Sequence, residues 1–224
     1  MIYIAPSMLS ADFANLGADM TRMAKAGANY LHLDVMDGNF VPNFSFGTPV
    51  IASIRPHSNL IFDVHLMIVE PIRYIEDYVK AGADIITVHL EACEDVRATL
   101  REITRREVRA GLSISPATPV EEILPYLDEV SMVLIMTVVP GFGGQKFMPE
   151  MLKKVETVRR YADSHGLNID IQVDGGLSAE NVGLATAAGA NVIVAGSAIF
   201  KAKKPSEVIA KMREEAELHP YKRA

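Results

Sequence analysis

Eight short runs rich in β-branched and other apolar residues recur along the chain, and most are separated by segments of helical character. The runs are Tyr3–Ser7, Tyr30–Met36, Ile61–Met67, Ile85–His89, Ala110–Ser115, Val133–Val138, Ile169–Asp174 and Val192–Ala195. Helix-like segments lie at Ala11–Ala26, Ile72–Ala81, Asp95–Arg106, Glu150–His165, Ala179–Ala188 and Ser206–Leu218, with shorter pieces near Pro49–Ile54 and Val120–Leu127. Strands that alternate with helices imply crossover connections and a parallel sheet. Eight such units in 224 residues predict an α/β fold, a single (β/α)8 TIM barrel with a parallel eight-stranded core over residues 1–224. Barrels of this kind begin at about 200 residues.

The tripeptide Ala-Gly-Ala precedes three of the runs, as Ala26-Gly27-Ala28-Asn29, Ala81-Gly82-Ala83-Asp84 and Ala188-Gly189-Ala190-Asn191. At each, a glycine in the left-handed region is expected to end the helix. Composition narrows the class further. At 49% hydrophobic and 22% charged residues, the chain reads as globular, and disorder, collagen and a disulfide scaffold are excluded. No apolar run approaches the roughly 18 residues of a membrane span. A net charge of −6 argues against nucleic acid as a partner. Cys93 is the only cysteine, which fits a reducing compartment. The first strand begins at Tyr3, leaving no room for a signal peptide. A cytoplasmic protein is the expectation.

Alternation along the runs exposes polar faces where a barrel should be apolar. Tyr30, His32, Asp34 and Met36 share one face of the second run, and Leu31, Leu33 and Val35 the other. Asp63, His65 and Met67 oppose Phe62, Val64 and Leu66; Asp170, Gln172 and Asp174 oppose Ile169, Ile171 and Val173. The flanking helices need the apolar faces, so the polar ones point into the barrel. Buried imidazoles and carboxylates are costly unless paired or bound to metal. His32, Asp34, His65 and Asp174 fall at or near the C-terminal ends of their strands, where barrel enzymes carry their chemistry. Two readings stand: a divalent metal site, or a buried hydrogen-bonded network. Asp63 and Asp170 lie earlier in their strands and read as structural or supporting. His89 reads as a satisfied polar residue rather than a ligand.

Glycines gather after three neighbouring strands. Pro140-Gly141-Phe142-Gly143-Gly144-Gln145 follows the sixth run, Gly175-Gly176 the seventh, and Gly196-Ser197 the eighth, where Ala198-Ile199-Phe200 starts a short helix. Glycine lets backbone N–H groups approach an anion closely. Loops after strands seven and eight with a short helix are the usual phosphate site of such barrels. Lys146 is the nearest cation in sequence, so an anion would be held by amides. The order of residues excludes a Walker loop and a dinucleotide loop.

These motifs strongly resemble those of the ribulose-phosphate 3-epimerases of the pentose phosphate pathway. The matching residues are Pro6-Ser7 with Leu9-Ser10; His32-Leu33-Asp34-Val35-Met36-Asp37-Gly38 with Phe40-Val41-Pro42-Asn43; His65-Leu66-Met67; Pro140 to Gln145; Asp174-Gly175-Gly176; and Gly196-Ser197-Ala198-Ile199-Phe200. The resemblance implies interconversion of ribulose 5-phosphate and xylulose 5-phosphate, with one divalent ion per chain, zinc or else iron, manganese or cobalt, on His32, Asp34, His65 and Asp174. It implies that Asp34 and Asp174 are the acid–base pair and that Ser7 and His65 touch the substrate. Gly141, Phe142, Gly143, Gly144, Gly175, Gly176, Gly196 and Ser197 would hold the phosphate end. A homo-oligomer binding a small sugar phosphate, with no nucleic acid or membrane partner, is implied as well. Met36, Met67 and Met136 are either a soft lining that excludes water from the enediolate or ordinary core.

Val139 stands where relatives carry a polar residue. An allulose 6-phosphate 3-epimerase is the nearest alternative, but such relatives have Gly-Phe-Ala-Gly-Gln and Asp-Gly-Ser where this chain has Gly143 and Gly176. A decarboxylase or lyase barrel would need a lysine that Asp34-Val35-Met36-Asp37 does not supply. A non-catalytic phosphate-binding barrel is the third reading.

Overall fold

In the computed structural model, residues 1–222 are described. Eight strands, β1 (Tyr3–Pro6), β2 (Tyr30–Met36), β3 (Ile61–Met67), β4 (Ile85–His89), β5 (Arg109–Ile114), β6 (Met132–Met136), β7 (Asp170–Asp174) and β8 (Val192–Ala195), make one parallel sheet in the order β1-β8-β7-β6-β5-β4-β3-β2. Ser7, just past β1, bridges to His32 of β2, so the sheet is a nearly closed barrel, and each strand lies within two residues of its expected bounds.

Helices α1 (Leu16–Lys25), α2 (Thr48–Ile54), α3 (Ile75–Lys80), α4 (Val96–Thr104), α5 (Leu152–Ser164), α6 (Val182–Ala188), α7 (Ser197–Phe200) and α8 (Pro205–Leu218) surround it. Two departures from the sequence pattern have local causes. The segment expected as a helix from Ala11 is first a 3-10 turn, Phe13–Asn15, because the Asp12 carboxylate accepts from the Ala14 N–H at 3.0 Å and closes a turn there. Between β5 and β6 there is no α-helix, only the 3-10 turns Val120–Glu122 and Leu124–Tyr126. Pro119 and Pro125 lack the N–H groups that a helix there would need.

The strand faces divide as the alternation predicts. Leu31, Leu33, Val35, Phe62, Val64, Leu66, Ile171 and Val173 pack outward in the continuous core shared with the helices. Inside the barrel, Ala5, Tyr30, Ile85, Met132, Val192 and Val194 form an apolar plug toward the N-terminal ends of the strands. Above the plug lies a polar layer in which His32, Asp63, His65, Thr87 and Gln172 have no exposed surface.

The three Ala-Gly-Ala segments build the same joint three times. Gly27, Gly82 and Gly189 have φ of 92°, 99° and 115°, the left-handed region that a side chain disfavours. The residue two positions on then fastens the next strand to its neighbour. Asn29 Oδ1 accepts from Ile4 N at 3.0 Å, Asp84 Oδ2 from Phe62 N at 2.7 Å, and Asn191 Oδ1 from Ile171 N at 2.7 Å. In return, the backbone N–H of Asn29, Asp84 and Asn191 donates to the carbonyl of the same partner at 2.9, 3.0 and 2.9 Å. An arginine completes each joint. Arg213 reaches the Gly27 carbonyl at 2.9 Å, Arg55 the Gly82 carbonyl at 3.4 Å and Arg159 the Gly189 carbonyl at 3.0 Å. Repetition of the tripeptide in the sequence thus reflects a repeated mechanical task.

Asn191→Ala is expected to lower stability by about 1–3 kcal/mol, because it leaves the buried Ile171 N–H without its acceptor. It also removes the 2.7 Å donation from Asn191 Nδ2 to Asp170. Urea unfolding with an unchanged slope and a lower midpoint would match this; an unchanged midpoint would contradict it.

Candidate active site and metal centre

At the C-terminal mouth of the barrel is a cavity of about 260 Å³. β2 contributes Asp34 and Met36 to its wall, β3 Met67, β6 Met136, and β7 Asp174. Ser7 follows β1, and the three glycine loops close the far side with Gly141, Phe142, Gly143, Gly144, Gly175, Gly176, Gly196 and Ser197. His32 and His65 are completely buried and meet Asp34 from below. The four proposed ligands, Ser7, the three methionines and the residues of the three glycine loops therefore lie in this cavity or against Asp34.

One ligand atom from each of His32, Asp34, His65 and Asp174 falls within 4.8 Å of the others. His32 Nε2 is 3.3 Å from Asp34 Oδ1 and 3.7 Å from Asp174 Oδ2. His65 Nδ1 is 3.2 Å from Asp34 Oδ1 and 3.3 Å from His32 Nε2. A tetrahedral ion with bonds of about 2.0–2.1 Å to nitrogen and oxygen needs neighbouring ligand atoms about 3.3 Å apart. The spacing of His32, Asp34 and His65 fits a divalent ion, with Asp174 standing slightly wider at 3.7 Å from His32, and so does the chemistry. His32 Nδ1 lies 2.7 Å from Asp63 Oδ2 and donates its proton there, which turns the Nε2 lone pair inward. Gln172 Nε2 donates to the same Asp63 oxygen and steadies it. Asp63 and Asp170 have the supporting places that their positions suggested: Asp170, at the opposite end of its strand from Asp174, pairs with Arg109 at 2.6 Å.

Charge is distributed unevenly over this cluster. Burial alone would depress His32, but the Asp34 and Asp63 carboxylates outweigh it and hold the imidazole well above its ordinary pKa. Burial opposes ionisation of Asp34, yet His32 and His65 overcome it and keep that carboxyl far below the usual range. Asp174 goes the other way: burial, then the Asp34 charge, push it up to about 7. One aspartate is a firm anion and the other is poised to carry a proton.

The glycine side of the cavity carries donors. Among the described residues, none accepts from the backbone N–H groups of Gly143, Gly144 or Gly176. Among the described residues no lysine or arginine lines the cavity, and Lys146 stays outside it. Gly176, at φ 71°, shows why the loop needs glycine, since a Cβ there would stand 2.4 Å from the Phe147 nitrogen. Val139 is 61% exposed and takes part through its backbone. Gln145 Nε2 donates to the carbonyls of Val139 at 2.6 Å and Phe142 at 2.9 Å. The loop is tied by its main chain, so an apolar side chain at 139 leaves its shape intact.

A sequence model of the ribulose-phosphate 3 epimerase family matches residues 3–200. The chain belongs to this family. The cytoplasmic isoform of ribulose-phosphate 3-epimerase from Oryza sativa subsp. japonica is 50% identical over 218 residues, 96% of this chain and 94% of that one. Ribulose-phosphate 3-epimerase of Bacillus subtilis is 47% identical over 214 residues, 95% and 99% of the two chains. The crystal structure of 3-keto-L-gulonate-6-phosphate decarboxylase from Vibrio cholerae is similar with a TM-score of 0.72 at 16% identity, covering 97% and 98%; this likeness establishes the barrel fold alone.

Two features of this epimerase-family site escaped the sequence reading. Ser10 lines the cavity, and its hydroxyl stands 2.5 Å from where a Cβ of Gly196 would be; its place in Leu9-Ser10 was the available sign. Glu91, in the 3-10 turn Leu90–Ala92 after β4, gave no sign at all. It contacts His89, whose other ring nitrogen touches His65. Among the described residues no helix is long and apolar enough to cross a membrane.

Proposed function

We propose that this member of the epimerase family interconverts D-ribulose 5-phosphate and D-xylulose 5-phosphate with the help of one divalent metal ion. The observation that carries this reading is the meeting, in one cavity, of four ligand atoms within 4.8 Å of one another and a wall of unpaired glycine amides. Family membership supports the same pair of substrates. His32, Asp34, His65 and Asp174 would hold the ion, zinc or else iron, manganese or cobalt. When bound, it would polarise the substrate ketone and offset the charge of the enediolate.

The chain's own residues do the rest. Asp34 and Asp174 stand on opposite faces of C3; one removes the proton, the other delivers one, and the roles exchange in the reverse direction. The Ser7 hydroxyl donates to Asp34 Oδ2 at 2.6 Å, which fixes that carboxylate and brings Ser7 beside the reacting carbons. His65 borders the same end of the substrate. The amides of Gly141, Phe142, Gly143, Gly144, Gly175, Gly176, Gly196 and Ser197 bind the phosphate. Met36, Met67 and Met136 line the cavity with apolar surface and keep water from the enediolate. Residues 1–222 act as one unit, the last two positions of the expected 1–224 domain lying outside the described residues. A cytoplasmic location is supported by the lone Cys93 and by the name of the rice relative; a homo-oligomer follows from the family resemblance.

A coupled assay with D-ribulose 5-phosphate tests the reading. Exhaustive chelation should abolish turnover, and zinc should restore it. Ligands must lose their protons to bind. Asp174, raised to about 7, and the raised His32 both hold protons more firmly as pH falls. Zinc uptake by chelated protein should therefore weaken as pH falls below about 7, and each zinc bound there should release more protons than at higher pH. Full turnover after complete chelation would refute the metal's role. Inactivity on both pentulose phosphates would refute the substrate assignment.

A further inference from the structure

His65 reaches the metal centre through Nδ1, while its Nε2 lies 2.9 Å from His89 Nε2. Two neutral imidazole nitrogens at that distance share one proton. If the proton sits on His65, its Nδ1 is a free lone pair and can be a ligand. If it sits on His89, His65 carries its own proton on Nδ1, pointing into the centre, and cannot bind a cation. The contact between the two rings does not choose between these states. Asp34 Oδ1, 3.2 Å from His65 Nδ1, draws a proton to that nitrogen, and the far side of His89 supplies the opposing pull toward Nε2.

There, His89 Nδ1 is 3.2 Å from Glu91 Oε2. A carboxylate only accepts, so His89 Nδ1 carries the proton, His89 Nε2 accepts, and His65 Nε2 donates. Glu91 is itself held in one orientation. Its other oxygen accepts from the Ser115 N–H at 2.7 Å and from the Thr118 hydroxyl. Lys154 fastens that loop through the carbonyls of Ser115, Pro116 and Thr118 at 3.1, 2.8 and 2.6 Å. His89 is fully buried, so bulk water does not substitute for any partner. His32 has its supporting carboxylate, Asp63, in direct contact; His65 has its own one imidazole away.

We propose that Glu91 and His89 are positioning residues that fix the tautomer of His65, keeping its Nδ1 free to bind the metal. The proposal rests on the metal-site reading above. Supporting partners of ligand histidines set which nitrogen is free.

Glu91→Gln tests it without changing shape. The Ser115 N–H can only donate, so the glutamine oxygen must stay on that side and its NH2 group must face His89. The relay then reverses: His89 Nδ1 accepts, its Nε2 donates, and His65 Nδ1 takes the proton. Zinc affinity, measured by chelator competition, should fall about 10–100-fold, with an unchanged circular dichroism spectrum. Glu91→Asp, which retains the carboxylate, should recover part of the loss. Long-range proton–nitrogen spectra of histidine-labelled, chelated protein supply a readout independent of metal and of turnover. They should show His65 protonated on Nε2 in the parent and on Nδ1 in Glu91→Gln. A parent with the proton on Nδ1 of His65 overturns the proposal even if the variant does not fold. So does a Glu91→Gln protein with parental zinc affinity and an unswitched His65. A parent that binds no zinc overturns the metal reading instead, and the spectra still judge the relay.

Discussion

Asp174→Asn is expected to lose epimerisation by about 10²–10⁴-fold, the usual contribution of a positioned acid or base, while still exchanging hydrogen at C3 of one epimer. An amide neither removes nor delivers the proton on its face. Asp34, kept anionic by His32 and His65 against the effect of burial, still serves the other face. In heavy water it should remove the C3 proton of the one epimer that points toward it and return deuterium to the same side. That epimer would gain label without inverting, and the other would gain none. The parent enzyme should label C3 of both and no other carbon. Metal content must be measured alongside, since Asp174 is among the four clustered ligand candidates. Inversion at the parental rate by a metal-loaded Asp174→Asn protein would remove Asp174 from the mechanism.

Unphosphorylated ribulose should be a poor substrate, by about 10³-fold or more in kcat/KM. Three amides, those of Gly143, Gly144 and Gly176, present N–H groups with no acceptor among the described residues. A hydrogen bond to a charged group contributes about 1.5 kcal/mol at the lower end, so three amount to roughly 4.5 kcal/mol, or about 10³-fold. Because the phosphate is remote from C3, much of this should appear in kcat through orientation of the reacting carbon. Gly196→Val offers a second arm, since its Cβ would stand 2.5 Å from the Ser10 hydroxyl and 3.4 Å from the Ser10 Cβ. It should raise KM for the phosphorylated substrate and change little for ribulose. Comparable efficiency on ribulose and its phosphate would remove the argument from the glycine loops.

Much of the barrel was legible because its strands are short, apolar and separated by segments of helical length. Alternation along β2, β3 and β7 distinguished the outward Leu31, Val64 and Val173 from the inward His32, His65 and Asp174, since successive side chains on a strand point to opposite faces. Ala-Gly-Ala marked the helix ends, but the sequence did not reveal that Asn29, Asp84 and Asn191 each fasten a neighbouring strand. That bond joins residues separated by 20 to 25 positions, and while the Asn or Asp end recurs after each Ala-Gly-Ala, nothing local marks the backbone N–H it meets. The start of α1 was placed too early for a similar reason, because helical periodicity continues through a 3-10 turn that Asp12 closes.

What the sequence determined by itself is the order of strands and helices, the polar inward faces and the amide-rich loops, all of which follow from local periodicity and backbone chemistry. What the tertiary structure decided is which nitrogen of each histidine faces the centre, and that Glu91 meets His89 while His89 meets His65. Strand alternation fixes only the face on which a side chain emerges. Its height and direction depend on register: Asp34 aligns with His65, His65 with Thr87, and His89 with Ser113. Those offsets are set when the parallel strands tilt and close into a barrel, a collective property of all eight that no single segment carries.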